Sequence, residues 1–96
     1  MRTTYKINYG PNTVRVFTYT NRTDLKQAFK LGSKRSILGF YEPGPNLGSI
    51  HLLVPARLAT IAHEVYHLVH AYHWGGEEAE AAAQGQLTQT IQTRLQ

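Results

Sequence analysis

The 96-residue sequence predicts a single α+β domain with the element order β-β-α-β-β-α-α. Two patterns and one length carry this expectation. Runs rich in β-branched and aromatic residues, broken by Gly, Pro and Asn, fill the first 55 residues. From residue 56 to 95 the apolar residues recur at helical spacing instead. A chain this short builds one core, so any functional site must be built on it.

Taken in order, Tyr5 to Tyr9 and Thr13 to Thr20 read as two strands, with turn chemistry supplied by Gly10-Pro11-Asn12. Thr23-Asp24 is suited to cap a short helix running to about Leu31, with Leu25, Ala28 and Phe29 at helical spacing and Gly32 closing it. Ser36 to Tyr41 reads as a third strand. After the turn formers of residues 42 to 48, Ser49 to Val54 reads as a fourth. Ala56 to about Trp74 is a helix without Gly or Pro, apolar on nearly every face and so expected to be buried. Gly75-Gly76 stops it, and Glu77 to about Leu95 forms a last helix in which Leu87, Ile91 and Leu95 recur every four residues. The expected architecture is a small antiparallel or mixed sheet backed by two C-terminal helices.

Composition narrows the chemistry. A hydrophobic fraction of 42% with 17% charged residues is ordinary for a globular chain, and no segment approaches the roughly 18 apolar residues of a membrane span. The N-terminus enters polar, strand-like sequence with no apolar signal region, which makes a cytoplasmic location the expectation. With no cysteine, a metal must be held by imidazole and carboxylate. Charge is unevenly placed: residues 1 to 57 hold nine of the ten Lys/Arg against Asp24 and Glu42, a balance of +7, and the rest balances at −3. A basic half is compatible with a nucleic-acid or acidic protein partner, but its charges are scattered.

One cluster carries chemistry. His63-Glu64-Val65-Tyr66-His67 places two histidines four residues apart on one face of a helix, so their imidazoles can converge on one ion. Glu64 is turned about 100° from His63, where it can reach water beside the ion without being a ligand. The arrangement suits zinc-assisted hydrolysis, in which the metal acidifies water and polarises a carbonyl while the carboxylate takes the proton. A buried helix also loses roughly 1 to 3 kcal/mol for each polar group left unpaired, which favours a partner for these side chains.

A third ligand is needed, and His51, His70, His73, Glu77, Glu78 and Glu80 are the candidates. His70 lies seven residues beyond His63, about 10 Å along the axis, so it shares an ion with both histidines only if the helix breaks. His73 sits at the third-histidine position of an HExxHxxGxxH pattern, but His70 stands where that pattern needs Gly. His51 reads as a half-exposed strand residue.

His63-Glu64-Val65-Tyr66-His67 followed by Glu78-Ala79-Glu80-Ala81 resembles the HExxH…ExxA arrangement of gluzincin-type zincins. The stretch from Glu77 to Ile91 resembles, more closely, the EExxAYxxGxLTxxI segment of small phage-type HExxH proteins, a likeness that covers in all roughly Gly48 to Gln92, about half the chain. The resemblance implies a minimal zincin fold and a zinc metalloprotease with His63, His67 and Glu78 as ligands and Glu64 as base. It also implies the host cytoplasm as location. Ala82 departs from it, standing where the phage-type pattern has Tyr.

Residue geometry bears on the ligand choice as well. Glu78, Ala81, Ala82 and Gly85 share a face of the last helix, and small residues there would allow close approach to the histidine helix. Glu80 falls on the apolar stripe with Leu87, and Glu77-Glu78 also suit the positive end of the helix dipole. Tyr41, Tyr66 and Tyr72 are candidates to donate to a developing oxyanion. The expected function is a zinc-dependent peptidase acting on a peptide or protein, with strand Ser49 to Val54 aligning the substrate and a homodimer completing the cleft. The alternative is a binding protein on the same fold, using its basic half to engage nucleic acid or a host protein.

Overall fold

A computed structural model describes residues 2–29, 38–72 and 74–96. β1 (Arg2–Tyr9) and β2 (Asn12–Tyr19) pair antiparallel along their full length, from Arg2 opposite Tyr19 to Tyr9 opposite Asn12. β1 starts three residues before the predicted strand because this register gives Arg2, Thr3 and Thr4 partners on β2. Alternation divides the hairpin: Ile7, Val14 and Val16 are buried on one side, while Lys6 and Arg15 stand exposed on the other.

α1 (Arg22–Phe29) begins two residues earlier than a cap at Thr23 suggests. Its cap is Asn21, whose Oδ1 accepts the Asp24 backbone N–H at 2.9 Å while its amide donates to the Asp24 carboxylate at 3.0 Å. The predicted end near Leu31-Gly32 and the predicted strand start at Ser36 lie outside the described residues. β3 is Gly39–Glu42, and β4 is Ser49–Leu53, close to the predicted strand.

The sheet is mixed, ordered β1-β2-β4-β3, with β4 parallel to β2 and antiparallel to β3. β4 is therefore an inner strand and has no free edge for a substrate; the edge beside the helices belongs to β3. α2 (Leu58–His70) and α3 (Glu77–Leu95) cover one face of the sheet, where Ile50, Leu52, Ile61, Leu68 and Leu87 meet in the main core. α1 covers the other face, packing Leu25 against Tyr19 and Phe40. The sheet thus lies between helices and is not backed only by the C-terminal pair. The element order matches the predicted one.

Burial on both faces of β4 explains why His51 is only 6% exposed, not half-exposed as its strand position suggests. Its ring stacks between Phe40 and Phe17 at centroid distances of 4.1 and 4.8 Å, and Nδ1 shares a hydrogen bond of 2.7 Å with the Tyr19 hydroxyl. Nε2 is buried without a hydrogen-bond partner, 3.7 Å from the Glu42 carboxylate. Burial holds the His51 pKa below its ordinary 6.5, outweighing the upward pull of Glu42.

Two corrections concern α2. It ends at His70, short of Trp74, because the Trp74 indole N–H folds back onto the Val69 carbonyl at 2.7 Å and the chain turns through Gly75 and Gly76 at φ of 90° and 122°. Nor is it buried all round: Ile61, Glu64, Val65, Leu68 and Val69 face inward, while His63, Tyr66, His67 and His70 are exposed. No helix among the described residues is long and apolar enough to cross a membrane.

A histidine held neutral by burial makes the fold acid-sensitive. The folded state binds the His51 proton more weakly than the unfolded chain, so its contribution is complete above about pH 6.5 and is lost as pH falls through the lowered pKa. Thermal melts of wild type and His51→Phe from pH 8 to pH 5 should show the wild-type Tm falling faster on acidification. Parallel curves would contradict this.

Candidate metal centre

Each residue of an α-helix advances about 100°, so one turn of α2 separates an outward pair from an inward acid. His63 and His67 rise on the exposed side, their rings 4.7 Å apart and crossed at 83°. Their Nε2 atoms come within 3.1 Å of each other. One neutral imidazole can donate to the other at that distance. The separation is also close to the roughly 3.3 Å that two nitrogens about 2.0–2.1 Å from a tetrahedral ion require. The two Nε2 atoms already point at one spot, so the pair could close on an ion with little movement.

Glu64 completes the group. Ligand atoms of His63, Glu64 and His67 all lie within 4.8 Å of one another, a cluster able to hold a metal ion. The Glu64 side chain is only 5% exposed, and burial raises its pKa above the ordinary carboxylate range, against the pull of His63 and His67. Imidazole and carboxylate donors of this kind suit zinc and other borderline divalent ions, and the residues present do not choose among them.

Glu64 lies beside Gly39 of β3. A Cβ on Gly39 would lie 2.7 Å from the His51 carbonyl oxygen and 3.2 Å from Leu52 Cδ2 on β4, and in ordinary contact, at 3.5 Å, with Glu64 Cγ. β3 and β4 therefore approach so closely here that a side chain on residue 39 must displace the strand. Sequence reasoning missed Gly39; its sole trace there was a glycine inside a predicted strand, a sign of close backbone approach. Open clefts of about 380 and 390 Å³ flank the cluster, both lined by Gly39, His63 and Glu64. Leu38 and Ala59 border the first, and Tyr41 and His67 the second.

No family model, curated protein or solved structure matches the chain. The site is therefore judged on its own geometry.

The remaining predicted site residues are dispersed. Glu77, Glu78 and Glu80 lie in the first turn of α3, and none joins the His63-Glu64-His67 group. The face shared by Glu78, Ala81, Ala82 and Gly85 is not the one that packs on α2: those four residues are exposed, and open space surrounds Gly85. The packed stripe is Ala83, Leu87 and Ile91, beside which the Gln84 amide donates to the Ala62 carbonyl at 3.0 Å. Small residues there leave Glu78 on an open flank. The His70 ring lies against that of Tyr66, centroids 4.1 Å apart and planes tilted by 57°, and His73 lies outside the described residues. His51 belongs to the aromatic cluster under α1. Tyr41 and Tyr72 spend their hydroxyls on the carbonyls of Leu47 and Gly44 at 3.0 and 3.3 Å. Burial raises the Tyr41 pKa. Tyr66 is 53% exposed, its ring 6.1 Å from that of His67.

Two measurements follow from this packing. A raised Glu64 pKa means that the folded, metal-free protein loses stability as pH rises from about 4.5 through the folded value. Glu64→Gln should match wild type near pH 4 and melt several degrees higher at pH 7 in chelator, and equal melts at both pH values would count against a buried carboxylate. Gly39→Ala must force β3 from the His51 carbonyl, lowering stability by about 1–3 kcal/mol in denaturant titrations. An unchanged midpoint would show that β3 does not press on its neighbours as described.

Proposed function

We propose that the protein is a zinc-dependent hydrolase of the metallopeptidase type, on a reduced zincin fold. The observation that carries this reading is the pair of converging Nε2 atoms of His63 and His67, 3.1 Å apart, with the buried carboxylate of Glu64 beside them. Bound there, zinc would acidify water and polarise a carbonyl. His63 and His67 would hold the ion through neutral imidazole, and Glu64 would take the proton. A carboxylate whose pKa is raised by burial is a stronger base than an exposed one, which suits the role of general base.

Substrate orientation comes from β3. It is an edge strand, and the clefts lie between it and α2, so an extended peptide pairing with its free edge would pass along His63 and Glu64. This is the alignment role that β4, an inner strand, is unable to play. Glu78 remains the third ligand that the resemblance implies, reached by adjustment of the exposed first turn of α3, and Tyr66 is the exposed phenol nearest the ion.

Purified protein should bind one equivalent of zinc, and His63→Ala should lose it. Glu64→Gln should keep the metal while cleavage of a peptide library falls by about 10²- to 10⁴-fold. Glu78→Ala should weaken zinc binding without abolishing it. Zinc bound at full stoichiometry with no Glu64-dependent cleavage would sink the hydrolase reading, and unchanged metal content in His63→Ala would sink the metal site.

A further inference from the structure

The hairpin places two cations face to face. Lys6 on β1 and Arg15 on β2 are direct cross-strand partners, both exposed, on the sheet side away from Ile7, Val14 and Val16. Like charges in that relation repel. The carboxylate that could relieve them is distant: Glu42, the sole acid in the four strands, lies two strands from Arg15 and beside His51 Nε2 at 3.7 Å.

The pair opens onto a hollow of about 370 Å³ walled by Asn8, Thr13, Pro45 and Asn46. The loop before β4 is fastened over the hairpin by the Leu47 N–H to the Thr13 carbonyl at 3.2 Å and the Arg15 N–H to the Gly48 carbonyl at 3.1 Å. The Thr13 hydroxyl donates to Asn8 Oδ1 at 3.1 Å, which leaves the Asn8 amide N–H groups as donors. No carboxylate lines the hollow. Ammonium, guanidinium and amide donors arriving from several directions suit a tetrahedral oxyanion better than a planar carboxylate.

The positive face continues along the strand. Arg2, four residues before Lys6 and on the same side, sets a further cation about 13 Å away. Its guanidinium lies over the Phe17 ring, 5.3 Å from the centroid. One phosphate is too small to reach both places; a strand carrying a charge at each nucleotide reaches them together.

We propose that this hairpin face, centred on the hollow between Lys6 and Arg15, binds the phosphate backbone of single-stranded nucleic acid. The face is on the opposite side of the sheet from α2, so this binding is independent of the metal-site reading. Contact is through phosphates and carries no base preference.

The test is fluorescence anisotropy of a labelled single-stranded oligonucleotide of about 12 nucleotides with the full chain, across a salt series. Three phosphate contacts give a slope of log K against log salt of about −2, and Lys6→Gln with Arg15→Gln should reduce it by about 1.4. Lys6→Gln alone should reduce it by about 0.7, leaving Arg15 and its contacts in place. Arg15→Glu, which removes as much positive charge as the double variant, should weaken binding at least as much while the melting temperature holds or rises, because it turns a repelling pair into an attracting one. Identical slopes for wild type and the double variant overturn the proposal, as does absence of binding at low salt. Displacement of the oligonucleotide by a polyglutamate peptide at equal charge also overturns it, in favour of an acidic protein partner.

Discussion

The packing of α2 onto β3 is the constraint on which the site depends. Ile61, Val65 and Leu68 fix the inward face of the helix, and Glu64 lies at its edge, about 40° beyond Leu68, where it is still turned toward the sheet. β3 runs beside that side chain at Gly39, where the His51 carbonyl oxygen of β4 already lies 2.7 Å from the place a Cβ would take. The same rotation that sends Glu64 in sends His63 and His67 out. An acid with a raised pKa and two converging imidazoles thus arise from a single helix orientation, fixed by apolar contacts.

The sheet separates two kinds of surface. On one side α2 and α3 close over the main core and leave the histidine pair facing the clefts beside β3. On the other, α1 packs at the end of the sheet nearest Tyr19 and Phe40. Among the described residues, Lys6 and Arg15 stand exposed on the rest of that face. The charge asymmetry of the sequence therefore becomes a spatial one, and the scattered cations of the first half include a cross-strand pair that register alone brings together.

Much of this was legible in the sequence, for identifiable reasons. Element order followed from the change of apolar period near residue 56, and the convergence of His63 and His67 followed from their spacing of four. What the sequence concealed was set by tertiary context. The apolar residues of α2 suggested burial on every side, yet Leu58 and Tyr66 are left outside because the sheet is only wide enough to cover one face. β4 looked like a candidate edge until its parallel pairing with β2 made it an inner strand, and that pairing has no local signal. Small residues at Ala81, Ala82 and Gly85 looked like a contact face, but the larger apolar stripe through Leu87 and Ile91 won the contact with the core. Gly39 acquires its role only from a strand and a helix distant in sequence.

The central claim is that one ion bridges the Nε2 atoms of His63 and His67. Nitrogen-15 NMR of the histidine side chains during zinc titration reads those atoms directly. The account predicts that the Nε2 resonances of His63 and His67 shift together and saturate at one equivalent, while the buried His51 is unmoved. Saturation through Nδ1, or a response at only one of the two histidines, would contradict it.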